Sequence, residues 1–281
     1  MKTGTLTQNL MQFLRCSIDG IIYGEAFTDI SSQSGGLSKE QMAEQTRVSK
    51  EMFSSDMGDN PYCSGIIPFF DRRFYPDLRN KDNKSFAIHQ FFLALAICHD
   101  ILAPEIKADG VLEYFGQSPD EVALVEGARN SGFAFKNRTS GILTVLVITP
   151  AVSEKKFQVL HMLEFDSFRK RMSVIVKNDD GHILLICKGA DNVLSKFLCG
   201  GQDEVLNETK KHLHQFANEG LRSLYVAQRF ISQDEYDNWL IEYNQAAKSL
   251  DNRTKNMHQV YEKIEKDLKL LGCTAVEGIF Q

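Results

Sequence analysis

RMSVIVKNDDGHILLICK, residues 171–188, is the stretch whose reading decides the fold. Arg171 to Lys177 is rich in β-branched residues, Asn178-Asp179-Asp180-Gly181 is a turn signal, and a second apolar run follows over 182–188, so the stretch reads as two strands joined by a short connection. Three more strand-like runs precede it, at 133–137, 142–149 and 156–165. Sequential strands with short turns imply an antiparallel sheet.

Working outward, the pattern turns helical on both sides. Downstream, a helix over about 203–218 ends at Gly220, a strand takes 221–229, and two amphipathic helices fill most of 232–271. The first opens on a capping box, Ser232 to Glu235, and presents Tyr236, Leu240, Tyr243 and Ala247. The second presents Met257, Val260, Tyr261, Ile264 and Leu268. Upstream, Ser118-Pro119-Asp120-Glu121 combines a Ser cap, Pro at the first helical position and Glu at the reciprocal capping position, and predicts a helix to about Asn130. Ser85 stands as the cap of an earlier helix whose core face is Ile88, Phe91, Phe92, Leu95 and Ala96. Residues 1–27 read as short strands with a turn at Asp19-Gly20. From Thr28 to about Asn83 the composition shifts to Ser, Gln, Gly, Asp and Asn, which reads as a long, flexible surface insertion with a loosely helical piece around Leu37 to Phe53. The expected class is α+β, a mainly antiparallel sheet flanked by helices.

Bulk properties narrow the function. With 43% hydrophobic and 25% charged residues among 281, the chain can bury a core and lies far from the signature of disorder. The 32 basic and 37 acidic side chains leave a net charge of -5, so no global field draws in nucleic acid. The longest apolar run, Phe91 to Cys98, falls far short of the ~20 residues of a membrane-crossing helix. The start lacks the apolar core of a secretory signal. Cysteines at 16, 63, 98, 187, 199 and 273 form no C-x-x-C pair, which fits reduced thiols in cytosol and argues against a bound metal.

The chemistry-bearing residues lie near the strand ends. Phe165 stands beside Arg169, Lys170 and Arg171: an aromatic ring next to a cluster of cations can stack on a base with Lys170 and its neighbours toward the phosphates, or it can be a core Phe at a strand end followed by a solvated basic turn. Lys188-Gly189-Ala190 follows the apolar run, so a lysine emerges at a strand end, either as a plain strand exit or where the glycine lets a ligand approach the backbone. Arg222, after Gly220-Leu221, carries a planar guanidinium suited to phosphate or to a plain surface position. Glu121 can accept a hydrogen bond from an adenine amino group or close its own capping box.

Together these motifs resemble the P-type ATPases. Leu163-Glu164-Phe165-Asp166-Ser167-Phe168-Arg169-Lys170-Arg171-Met172-Ser173-Val174 is similar to the adenine-binding strand pair of that family's nucleotide domain, Lys188-Gly189-Ala190 to its K-G-A motif, and Gly220-Leu221-Arg222 to its G-L-R segment. Ser118-Pro119-Asp120-Glu121-Val122-Ala123-Leu124-Val125 resembles the S-P-D-E-A-A-L-V signature of the type IV branch, the phospholipid flippases. Lys2-Thr3-Gly4-Thr5-Leu6-Thr7 matches the phosphorylation loop D-K-T-G-T-L-T except that Met1 stands where the family has its aspartate nucleophile. A thioether has no anionic oxygen to attack phosphorus, so no phosphoryl transfer is expected of this chain, and the methionine is read as the truncated start of a longer one.

The resemblance implies an ATP site at Glu121, Phe165, Ser167, Lys170, Lys188, Gly189 and Arg222, with Mg²⁺ ligands mostly outside this chain. It implies phosphorylation-domain fragments at 1–15 and 268–281, pieces of an incomplete α/β domain, flanking a nucleotide-binding domain at 16–267 with the insertion at 28–83. For the parent it implies a pump at the cytosolic face of a membrane that moves phospholipid toward the cytosolic leaflet and works with an accessory membrane subunit. Alternatives from the same reading are a non-catalytic nucleotide-binding or interaction module and a P-type pump with other cargo.

Overall fold

A computed structural model describes residues 10–25, 39–57, 59–63, 66–148, 152–249 and 251–279. Met1 and the Lys2-Thr3-Gly4-Thr5 loop lie outside the described residues, as does part of the segment read as an insertion.

The chain begins with strands β1 (Leu10–Ile18) and β2 (Ile21–Tyr23), and the turn between them places Asp19 and Gly20 at φ of 49° and 77°. Two positive φ values in a two-residue turn give a twist that matches the flanking strands. Helices α1 (Lys39–Met57), α2 (Phe74–Arg79) and α3 (Asn83–Ile97) follow, then a small hairpin of β3 (Glu105–Ile106) and β4 (Leu112–Glu113) and helix α4 (Pro119–Asn130). Four hairpin-linked connections join β5 (Phe133–Thr139), β6 (Ile142–Ile148), β7 (Val152–Leu163), β8 (Arg171–Asn178) and β9 (Ile183–Gly189). A short α5 (Asp191–Leu194) and helix α6 (Asp203–Asn218) lead to β10 (Arg222–Ile231), α7 (Gln233–Lys248), α8 (Arg253–Ile264) and the closing strand β11 (Lys269–Ile279).

Nine strands form one sheet in the order β2-β1-β11-β10-β9-β8-β7-β6-β5, each pair of neighbours antiparallel. Helices cover both faces. On one, Val174, Val176, Leu184 and Ile186 pack with Phe92 and Phe91 of α3 and Leu124 of α4. On the other, Ile175, Ile183, Leu185 and Cys187 pack with Phe216 of α6, Trp239 of α7 and Val260 of α8. A strand buried on both faces keeps no polar side, which is why β9 reads as an unbroken apolar run rather than an alternation. None of the described helices is long and apolar enough to cross a membrane.

Three expectations change. The cap of α3 is Asp82, whose carboxylate accepts from the Ser85 amide at 2.8 Å, while Ser85 Oγ donates to Leu78 O. The described part of 28–83 is not a surface insertion: Phe53, Phe69, Phe74, Tyr75 and Leu78 are buried in the core, with Phe69, Phe74 and Phe92 in mutual ring contact. Helix α8 ends at Ile264, four residues before Leu268, and its C-cap Glu265 leaves the helical conformation with its side chain buried. The strands at the two ends also sit inside the sheet: β1 and β11 pair over their length, and the boundary drawn at 15/16 falls within β1.

Candidate functional site

Strand register brings the site together. Lys188 lies opposite Met172 on β8 and Val226 on β10, and Gly189 opposite Arg171 and Tyr225. The end of β9, the start of β8, the start of β10 and the end of β7 therefore share one end of the sheet. The 164–170 connection crosses there and is tied to the end of β9 by the Ala190 amide, which donates to Lys170 O at 3.0 Å. The N-terminus of α4 comes down on the same end. Glu121 Oε1 lies 2.5 Å from Lys188 Nζ, and Asp120 Oδ2 lies 3.0 Å from Arg222 Nη1. All seven residues expected from the sequence, Glu121, Phe165, Ser167, Lys170, Lys188, Gly189 and Arg222, converge at this end. Two hollows of about 260 and 340 Å³ lie elsewhere, one lined by Phe53 and Cys63 and one between β1 and α4.

The 164–170 connection is held by Asp166. Its Oδ1 accepts from the Phe168 and Arg169 amides at 2.8 and 2.7 Å, its carbonyl accepts from the Lys170 amide, and His258 Nε2 stands 3.0 Å from Oδ2. Burial opposes its charge, but these amides and His258 hold the Asp166 carboxyl below its ordinary range. Phe168 stacks on the His258 ring at 5.4 Å and 9°. Phe165 is 63% exposed and makes no ring contact with any described residue, so its face is open for a flat partner. Ser167 and Lys170 are exposed beside it, Lys170 in the left-handed region at φ 52°.

The cation cluster read from the sequence divides. Only Lys170 faces solvent. Arg169 and Arg171 are buried under the opposite face, where Glu265 takes both: its Oε2 accepts from Arg171 Nε at 2.8 Å and its Oε1 pairs with Arg169 Nη2. Their guanidinium groups lie 4.7 Å over Tyr261 and 4.1 Å over Phe197. Gly189 also serves packing: a Cβ there would stand 2.5 Å from Arg171 Cβ and 2.8 Å from Lys170 O. Its bareness admits the neighbouring strand.

Lys188 is 4% exposed, and its ammonium has Glu121 as its ion-pair partner. Ser118 Oγ caps α4 by accepting from the Glu121 amide at 3.4 Å, but the Glu121 carboxylate is spent on Lys188 and on the Asp100 amide, which donates to Oε2 at 3.1 Å. Burial works against a charged Glu121; the Lys188 ammonium and hydrogen bonds from Asp100 and Lys188 outweigh it, and the carboxyl is held at about 2. The hydrogen bond to Glu121, then burial, pushes the Asp100 carboxyl up to about 6. Asp100, His99 and Arg138 complete this end of the site, with Arg138 Nη2 donating to His99 O at 2.9 Å. Sequence reasoning missed all three. The one available signal was the polar pair His99-Asp100 directly after a long apolar run.

A raised carboxyl pKa favours the fold below the ordinary value of 3.8 and forfeits that advantage as pH rises through about 6. Asp100→Asn, which does not titrate, is therefore expected to gain on the wild type between pH 4 and pH 7.5 in urea unfolding; a constant gap across that window would show that Asp100 is not so perturbed.

Comparison with known proteins identifies the family. The family model described as "P-type ATPase, cytoplasmic domain N" matches residues 87–278. The chain is similar over its whole length to "Phospholipid-transporting ATPase dnf2" of Schizosaccharomyces pombe (40% identical, 21% of that protein covered), "Phospholipid-transporting ATPase ID" of Homo sapiens (38%, 22%) and "Phospholipid-transporting ATPase DNF2" of Saccharomyces cerevisiae (38%, 18%). It spans about a fifth of the length of these relatives. With a family match running from α3 to β11 and whole-chain similarity to phospholipid-transporting members, the chain belongs to the cytoplasmic N domains of P-type ATPases.

Proposed function

We propose that this chain is the ATP-holding portion of a phospholipid-transporting P-type ATPase, with the nucleotide seated at the sheet end described above. The observation that carries the reading is the presence at one sheet end of an exposed aromatic ring, Phe165, and of cations graded from buried to exposed: Lys188 paired with Glu121, Arg222 paired with Asp120 at the surface, and Lys170 exposed. The residues fit the ligand. Phe165 stacks on the purine, the Lys188 stem lines the pocket while its ammonium holds Glu121, and Lys170 and Arg222 meet the phosphates. Mg²⁺ would arrive on the triphosphate, with its protein ligands mostly outside this chain.

Bound ATP supplies a γ-phosphoryl group for transfer. This chain contributes binding and orientation; Met1 offers no oxygen nucleophile, so incubation with γ-labelled ATP is expected to leave it unlabelled. In the parent protein the domain would deliver that group to an aspartate at this position, at the cytosolic face of a membrane, and so drive phospholipid toward the cytosolic leaflet. An accessory membrane subunit is the further partner proposed for the parent.

The test is a titration with ATP and Mg²⁺ followed by NMR shifts. Binding is expected at roughly 1 mM, since an isolated domain grips only part of the ligand. Phe165→Ala removes a stacking contact of about 1–3 kcal/mol and is expected to weaken it by about five- to 150-fold. A folded wild-type domain with no saturable response would overturn the reading.

A further inference from the structure

One side of α8 is turned toward the connection that carries Phe165. His258, Tyr261 and the C-cap Glu265 lie at i, i+3 and i+7, a spacing that lines side chains along one side of a helix, and each takes a partner from 166–171. Glu265 holds Arg169 and Arg171, Tyr261 lies 4.7 Å from the Arg169 guanidinium, and His258 Nε2 stands 3.0 Å from Asp166 Oδ2 with its ring flat against Phe168. The first two contacts fasten the connection where it joins β8. His258 reaches the part that leaves β7, one residue past Phe165. We propose that His258 is a positioning residue for the nucleotide: it anchors Asp166, and through Asp166 it sets the exposed Phe165 ring in the orientation that stacks on the base, an inference that rests on the ATP site proposed above.

The two oxygens of Asp166 have separate tasks. Oδ1 accepts from the Phe168 and Arg169 amides and closes the turn on itself. That gives the turn its shape but not its place on the domain. Oδ2 faces His258. A carboxylate offers acceptors only, so Nε2 carries the proton and donates, and the imidazolium and one neutral tautomer both supply that donor. Phe168 is 80% exposed, and its stack on His258 holds a second side chain of the turn against the helix. Phe165 has no ring partner among the described residues, so the backbone on either side of it decides where its ring points. On the β7 side, Leu163 is buried and the Glu164 carbonyl accepts from Arg169 Nη1 at 2.8 Å. On the other side the anchor is Asp166. A ring already in place spares the cost of ordering it when ATP arrives, a factor of about three to ten for one side chain.

ATP titration followed by NMR shifts, with urea unfolding of each variant to confirm the fold, tests this. His258→Leu and His258→Phe both lack the donor, and the second keeps a ring against Phe168; each should weaken ATP binding about three- to tenfold. His258→Gln carries an N–H at a similar reach and should stay within about twofold of wild type. Phe165→Leu keeps an apolar contact with the base but has no ring plane to set, so adding His258→Leu to it should cost less than about twofold, which a general loosening of α8 would not produce. Exchange protection of the Phe168 and Arg169 amides should fall in the two donorless variants and persist in His258→Gln. Wild-type affinity in a folded donorless variant, a loss in His258→Gln equal to that in His258→Leu, or the same loss in both Phe165 backgrounds overturns this inference alone. Absence of saturable ATP binding by the folded wild type overturns it together with the ATP site.

Discussion

Glu265→Ala is expected to cost the fold about 3–5 kcal/mol. Glu265 is fully buried just past the end of α8, and its two oxygens accept from Arg169, Arg171 and the Ser173 hydroxyl, the last at 2.6 Å. Arg169 comes from the last part of the β7–β8 connection and Arg171 from the first position of β8, so one carboxylate fastens α8 to the sheet. Arginine cannot shed its proton to relieve burial. Removing Glu265 therefore leaves Arg169 buried without a carboxylate and Arg171 with only the longer Glu262 contact at 3.7 Å. Urea unfolding measures the loss, and Glu265→Gln, which restores an acceptor without the charge, should fall between wild type and alanine. Because Arg169 and Arg171 flank Lys170, the 164–170 connection should loosen as well, and ATP titration of any folded Glu265→Ala should show weaker binding. An unfolding midpoint within error of wild type would mean that the buried network contributes nothing net. Replacing Arg169, Arg171 and Glu265 together by apolar residues should recover much of the loss, since desolvation then disappears along with the attraction.

The sheet was legible because its signals are local. Alternation, β-branched runs and Asn178-Asp179-Asp180-Gly181 set β8 and β9 without knowledge of any distant residue, and the same holds for the Ser118 and Ser232 caps. Asp82 was passed over because α3 opens with a polar first turn, so the apolar period starts late and makes Ser85 look like the boundary. The buried part of 28–83 had no period to read: Phe69 lies in the short apolar run 66–70 and Phe74 and Tyr75 come as an adjacent pair, neither at sustained helical or strand spacing, and composition alone cannot distinguish a segment that wraps a core from one that leaves it. At the site, Phe165, Lys188 and Arg222 were recognisable through motif resemblance. What each neighbouring charge does was not. Arg169, Lys170 and Arg171 are contiguous, yet the partner that separates them lies 96 and 94 residues away in Glu265, and Glu121 meets its own across 67 positions, from 121 to 188. Long-range pairing of charges is settled by register and helix placement, which a window of sequence does not contain.

Lys188→Met carries the same logic into the ligand site. The substitution keeps the length and apolar stem of the side chain and deletes the ammonium, leaving Glu121 in a buried position with Asp100 as its neighbour. Breaking a buried pair from one side costs about 3–5 kcal/mol where the remaining group stays charged. It need not stay charged at every pH. In wild type the depressed Glu121 carboxyl stabilises the fold above its ordinary value of 4.5 and loses that contribution as pH falls through about 2. Without Lys188, burial is opposed only by the hydrogen bonds from Asp100, so the pKa rises: the variant is best tolerated in acid, and the gap to wild type should widen from pH 3 to pH 7. Adding Glu121→Gln should close most of that gap at pH 7, and a double-mutant cycle between the two positions should show strong coupling at neutral pH that fades toward acid. ATP affinity should fall at least about tenfold in Lys188→Met, and Glu121→Gln should not restore it, because the double variant regains a neutral interior without regaining the ammonium at the nucleotide site. Recovery of both stability and ATP affinity in the double variant would instead mean that the pair shapes the fold and takes no part in holding the nucleotide.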